Sequence, residues 1–124
     1  MIVGTEWLIE ASGCSVDALR DEYVLQQLSA DVMNDLGLKS LESVWHKFPG
    51  EGGVTGIALL TESHLTCHTY PEHGTATFNL YCCRSRPDWD WHGNLSRRLY
   101  ARSVSITKLD RGVPRDIRAL EEAA

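Results

Sequence analysis

Eleven consecutive residues gather an unusual density of reactive side chains. From Glu62 to Glu72 the chain reads Glu62-Ser63-His64-Leu65-Thr66-Cys67-His68-Thr69-Tyr70-Pro71-Glu72, with a serine hydroxyl, two imidazoles, a thiol and two carboxylates. That density is unusual for a strand and marks Ser63 as a candidate reacting group. A second candidate reagent, Cys83, lies a short distance downstream beside Cys82.

The elements that must position these groups follow from hydrophobic periodicity. Residues 5–12 read as a first strand. Ser15 followed by Asp17 marks a helix start, and Leu19, Tyr23, Leu25, Leu28, Val32 and Leu36 continue at helical spacing until Gly37. This spacing predicts one helix whose apolar stripe packs on a sheet. Residues 41–48 alternate as a second strand, and Pro49-Gly50-Glu51-Gly52-Gly53 reads as a flexible loop. Val54 to Thr61, His64 to Tyr70 and Thr75 to Cys83 give three more strands, the last two joined by Pro71-Glu72-His73-Gly74 as a hairpin turn. Asp88 to Tyr100 is predicted as a second helix and Ser103 to Lys108 as a final strand, with a polar, loosely held tail after Pro114. Trp45, Trp89 and Trp91 read as packing residues. The fold class is α+β: an antiparallel sheet with two helices packed on one face.

Strand parity then sorts the side chains. Ala76, Phe78, Leu80 and Cys82 share one apolar face, while Thr75, Thr77, Asn79, Tyr81 and Cys83 share the other. The first set should meet the helices and the second should line a site or an interface. By the same rule His64, Thr66, His68 and Tyr70 lie together, opposite Leu65 and Cys67. A zinc site assembled from His64, Cys67, His68, His73, Cys82 and Cys83 is one reading of these ligand types. Parity separates Cys67 from the two histidines and Cys82 from Cys83, so no metal is expected.

Bulk properties narrow the function classes. At 124 residues the chain fits one domain. Its 43% hydrophobic and 23% charged content suits a soluble globular protein. A net charge of −5, with Arg97-Arg98 as the one tight basic pair, argues against a nucleic-acid surface. The start of the chain lacks the pattern of a signal peptide and no apolar run approaches a membrane span, so a cytoplasmic location is expected. Four cysteines without CxxC spacing read as reduced thiols.

Gly53-Val54-Thr55-Gly56, the run from Thr61 to Glu72 and the later Cys83 together resemble the short prokaryotic S-adenosylmethionine decarboxylases, which depend on a pyruvoyl group. The likeness follows element order from about Trp7 to Val104, and its specificity lies in residues 53–83. The resemblance implies a proenzyme that cuts itself between Glu62 and Ser63 into a β chain (1–62) and an α chain (63–124). The Ser63 hydroxyl would attack the Glu62 carbonyl, exchanging amide for ester. Loss of the Ser63 α-proton and hydrolysis would leave the pyruvoyl group at the head of the α chain. His68 matches the base that assists the elimination, provided the Ser63 end of the strand bends over it. Thr55 matches a processing hydroxyl that is usually serine, and its β-branching stiffens it.

The mature chemistry implied is decarboxylation of S-adenosylmethionine through a Schiff base, giving the aminopropyl donor for spermidine synthesis. Removing a carboxylate from an amino acid leaves electrons on the α-carbon, which a covalent carbonyl can accept and no side chain can. Cys83 matches the proton donor, since a free thiol is largely protonated at neutral pH. Phe48 and Tyr70 match the two rings that hold adenine, and their faces also suit a sulfonium. Glu72 matches the carboxylate that binds the ribose. A homodimer with sites near its interface is implied as well.

The chain departs from the family pattern in several places. The 49–53 loop is one residue longer, Arg84-Ser85-Arg86 follows Cys83 where glycine is usual, Asn79 replaces an acid and Cys82 a threonine. Relatives with pyruvoyl chemistry that act on arginine or ornithine therefore stay open as an alternative. So does a non-processing partner subunit that kept the fold.

Overall fold

The computed structural model describes residues 1–112. Six strands form one antiparallel sheet: β1 (Gly4–Ser12), β2 (Ser40–Lys47), β3 (Val54–Leu60), β4 (Ser63–Tyr70), β5 (Thr75–Cys82) and β6 (Ser103–Arg111), in the order β2-β3-β4-β5-β1-β6. Helices α1 (Val16–Arg20), α2 (Glu22–Asp35) and α3 (Trp91–Arg98) accompany it. The predicted polar tail lies outside the described residues.

The α+β class is as expected, with a difference in each of the two predicted helices. The first predicted helix is two, divided at Asp21, whose backbone turns extended (φ −89°, ψ 98°). Its carboxylate accepts from the amides of Tyr23 and Val24 at 3.1 and 3.3 Å, so a side-chain cap competes with helix continuation. The break rotates Tyr23 off the apolar stripe; it is 68% exposed, while Leu19, Leu25, Leu28 and Val32 are buried. Gly37 ends α2 in the left-handed region (φ 67°), where glycine has no Cβ to clash, and Leu38 N–H closes the end on Met33 O at 2.7 Å. The second predicted helix is shorter than expected, because Asp90 caps it on Gly93 N–H at 3.0 Å.

Strand parity holds through the sheet's centre. Trp7, Ile9, Leu65, Cys67, Ala76, Phe78, Leu80 and Cys82 are buried together with Leu25, Leu28, Trp91 and Leu95 from the helices. Trp89 and Trp91 pack into this core as expected, their rings 4.9 Å apart, and Trp45 lies partly buried against it. A Cβ on Gly56 would sit 2.4 Å from the Trp45 ring, so glycine is what lets that indole cross β3. The expected in-and-out alternation fails on β2, an edge strand that leaves Leu41 and Val44 exposed. The other face of the sheet carries His64, Thr66, His68, Thr77 and Asn79, half-buried in the described residues.

Candidate active site

The chemistry-bearing run divides between the two ends of β4. At its start, Leu60 pairs with Ser63 across a hairpin whose two-residue tip is Thr61-Glu62. Ser63 has φ 149°, a region that L residues other than glycine rarely adopt, at a cost on the order of 1–3 kcal/mol. The strain sits at the residue whose nitrogen closes the peptide bond that the resemblance marks for cleavage.

That bond's carbonyl is held twice by one residue. Cys83 donates its backbone N–H to Glu62 O at 3.1 Å and its thiol to the same oxygen at 2.7 Å. Two donors on one carbonyl oxygen polarise it and lie where negative charge develops when its carbon is attacked. Cys83 is thus brought onto the carbonyl of the Glu62–Ser63 peptide bond. The Glu62 side chain is buried at 7% exposure, with Arg86 at 2.7 Å from Oε1 and Arg84 at 3.9 Å from Oε2. The Arg86 contact is an ion pair without aligned hydrogen-bond geometry. Burying a carboxylate requires such partners.

The far end of β4 meets a cavity of about 530 Å³ lined by Phe48, Gly52, Gly53, Thr55, His68, Thr69, Tyr70 and Glu72. Every substrate contact expected from sequence is in that lining, together with the two expected processing residues Thr55 and His68. Thr55 Oγ1 lies 3.1 Å from His68 Nδ1, across the β3–β4 register pair. Phe48 and Tyr70 remain 46% and 41% exposed, and the Phe48 ring meets His46 in a T-shaped contact at 4.5 Å. The glycine loop closes tightly behind them: a Cβ on Gly53 would lie 2.2 Å from Thr69 O.

His68 and Ser63 are not brought together within one chain. They stand five residues apart on a paired strand, about 16 Å at ~3.3 Å per residue. The expected bend of the Ser63 end over His68 is absent, because β4 is hydrogen-bonded to β3 and β5 from Ser63 through His68 and cannot fold back on itself. One chain therefore presents two half-sites.

The cysteines separate by environment. Burial pushes the Cys67 thiol up to about 12 and, with help from the Glu62 charge, the Cys82 thiol up to about 11. Both point into the core, away from His64 and His68. Among the described residues, no group of three or more His, Cys, Asp or Glu side chains converges as a metal site.

Comparison with known proteins decides the family. The description "S-adenosylmethionine decarboxylase" matches residues 5–112 of this chain. The chain belongs to the S-adenosylmethionine decarboxylase family. A relative from Halalkalibacterium halodurans, named S-adenosylmethionine decarboxylase proenzyme 2, is 34% identical over 112 residues, covering 90% of this chain and 87% of its own. A relative from Pelotomaculum thermopropionicum, named S-adenosylmethionine decarboxylase proenzyme, is 32% identical over 90% of this chain and 88% of its own. The crystal structure of the adenosylmethionine decarboxylase from Aquifex aeolicus superposes with a TM-score of 0.77 at 25% identity, covering 93% of this chain and 95% of that one.

Within this family frame the departures acquire places. Arg84 and Arg86 engage Glu62, and Cys82 is fully buried in the core. Asn79 Oδ1 accepts from His64 Nε2 at 2.9 Å, and Asn79 Nδ2 donates to Glu6 Oε2 at 2.9 Å. Glu6 and His64 received no role from the sequence, since a carboxylate on β1 and a histidine on β4 meet only through the β1–β5–β4 pairing. The two arginines could have been suspected from their flanking of Cys83, one strand away from Glu62.

Proposed function

We propose that this chain is the proenzyme of a pyruvoyl-dependent S-adenosylmethionine decarboxylase that cleaves itself between Glu62 and Ser63 and works as a homodimer. The observation that carries the reading is the double hold of Cys83 on the Glu62 carbonyl oxygen beside a strained Ser63. Attack by Ser63 Oγ on that carbonyl carbon turns amide into ester, with the developing oxyanion facing the Cys83 N–H and thiol. The ester leaves as the Glu62 carboxylate once the Ser63 α-proton is removed, and the residue at position 63 becomes the pyruvoyl carbonyl after water enters and ammonia departs.

Strained geometry, a held carbonyl and a donor thiol at one residue fit the formation of that group. Its chemistry is to supply the electron sink that side chains lack. The chain's own residues do the rest. Cys83, already directed at the junction, is placed to return a proton to the substrate carbon. Phe48 and Tyr70 offer faces to the adenine ring and the sulfonium, and Glu72 offers oxygens to the ribose hydroxyls.

The two half-sites call for a second copy. A two-fold axis through the open sheet face would lay one protomer's His68 end across the other's Ser63 end, because antiparallel β4 strands meet head to tail. Leu8, Ile57 and Leu59 on that face are exposed and would be covered. In this arrangement His68 of one chain takes the α-proton of Ser63 in the other. The reading includes a cytoplasmic location, supported by four unbridged cysteines. No described helix is long and apolar enough to cross a membrane.

Denaturing mass spectrometry tests this reading. Two fragments split between residues 62 and 63 are expected, the second without a normal amino terminus, and Ser63→Ala should leave a single chain. An intact wild-type protein would overturn it. Carbon dioxide release measured on S-adenosylmethionine, arginine and ornithine in parallel should favour the first; release from either basic amino acid alone would transfer the activity to that substrate.

A further inference from the structure

Self-cleavage needs a group to take the Ser63 hydroxyl proton, and His68 lies too far away in its own chain. Ser63 Oγ lies 3.4 Å from His64 Nδ1. Neighbouring strand residues normally point to opposite faces. The unusual φ of Ser63 is what turns its hydroxyl toward the face that carries His64.

His64 is itself held by a chain of partners from three strands. Its Nε2 lies 2.9 Å from Asn79 Oδ1, Asn79 Nδ2 lies 2.9 Å from Glu6 Oε2, and Arg111 donates to Glu6 Oε1 at 2.8 Å. An ionised carboxylate only accepts hydrogen bonds, so the end of Asn79 that faces Glu6 is the amide NH₂. The end that faces His64 is then the carbonyl, which also only accepts. Nε2 must therefore carry the imidazole proton, and Nδ1 is left with a lone pair directed at Ser63. The hydrogen bond from Asn79 and the Arg111 contact lower the Glu6 carboxyl below its ordinary range against the opposing effect of burial, which keeps it ionised at neutral pH.

We propose that His64 is the catalytic base for the first step of self-cleavage, with Asn79 and Glu6 as positioning residues that fix its tautomer. This rests on the self-cleavage reading above. As Ser63 Oγ bonds to the Glu62 carbonyl carbon, its proton passes to His64 Nδ1. When the Glu62–Ser63 carbon–nitrogen bond breaks, the same proton passes to the departing Ser63 nitrogen, giving an ester and a free amine with no net change in protons. His64 and His68 then serve different steps: one moves the hydroxyl proton and the other the α-proton. Asn79, where the family usually has an acid, performs the tautomer-fixing task without adding a second carboxylate beside Glu6.

The time course of cleavage in the full-length proenzyme, followed by denaturing mass spectrometry, tests the assignment. His64→Ala should slow cleavage at least about 100-fold, the lower range for loss of a general base, and added imidazole should restore part of the rate. The stalled protein should be the amide, resistant to hydroxylamine, whereas His68→Ala should stall as a hydroxylamine-cleavable ester. Asn79→Leu should be slow, and Asn79→Asp, which still accepts from Nε2–H, should cleave faster than Asn79→Leu. Cleavage of His64→Ala at the wild-type rate would overturn the proposal. So would a slow His64→Ala that ignores imidazole while Asn79→Leu and Asn79→Asp behave alike, which is the pattern of a structural role. Failure of the wild-type chain to cleave would instead remove the self-cleavage reading itself.

Discussion

The two ends of β4 are built on opposite terms. At the Ser63 end, backbone strain, a doubly held carbonyl and a buried carboxylate between arginines crowd one peptide bond. At the Tyr70 end, the backbone is relaxed, two aromatic rings stand half open and a cavity of about 530 Å³ waits beside them. The first end has what a single chain needs to begin acting on itself. The second has what it needs to recognise something else, and His68, the base proposed above, has no Ser63 within reach in its own chain. The difference teaches that proximity along a strand is not proximity in a site: five residues of extended chain separate Ser63 from His68 as effectively as a domain boundary would.

Mixing two variants would put that separation to its hardest test. Co-expressed Ser63→Ala and His68→Ala chains should give cleavage of the His68→Ala chain alone, because its Ser63 meets an intact His68 from the other copy. Neither variant should complete processing by itself. A mixture in which neither chain is cleaved would place the two groups in one protomer and break the comparison.

Cys83 belongs to the Ser63 end in both of the roles proposed for it, and the two roles predict unequal losses. Cys83→Ala keeps the backbone N–H on Glu62 O and forfeits one hydrogen bond of about 1 kcal/mol, so self-cleavage should slow by about fivefold. Decarboxylation by the processed protein should fall further, by ~100-fold, because the proton donor itself is gone. Equal losses in the two assays would reduce Cys83 to a single role.

The Tyr70 end should respond in binding without any change in processing. Phe48→Ala or Tyr70→Ala should raise the KM for S-adenosylmethionine roughly three- to tenfold, the value of one aromatic stack, with unchanged cleavage at Glu62–Ser63. A processing defect in either variant would tie the rings to the junction and erase the division. The smallest effect expected is a difference in labelling. Alkylation by iodoacetamide at neutral pH should mark exposed Cys83 and spare Cys67 and Cys82, whose buried thiols, raised to about 12 and about 11, stay protonated there. Their labelling should appear only as the pH climbs toward those values or the protein unfolds. Prompt reaction at Cys82 would mean that the β5 end beside the junction opens.

Most of the fold was legible because its signals are local. Alternation on β4 and β5 assigned the buried and open faces residue by residue, and Pro71 to Gly74 announced the hairpin that joins them. The helix break at Asp21 is not legible because apolar spacing continues across it, while the break is set by one carboxylate that accepts from the first backbone amides of α2 instead of facing solvent. The lost alternation on β2 has a different cause: an edge strand has a neighbour on one side only, so fewer of its side chains are covered.

The sequence by itself determined the kind of chemistry, since the run from Glu62 to Glu72 with Cys83 resembles one family, the family that the comparisons show, and that resemblance implies the cleavage point proposed above. Side-chain identity and order along the chain are enough for that. Only the tertiary structure decided which of these groups can meet. Register brought Cys83 onto the Glu62 carbonyl and joined Glu6, Asn79 and His64 from three strands into one hydrogen-bonded line. The same register held β4 straight and kept His68 from Ser63, because strand pairing fixes distances that sequence spacing leaves free.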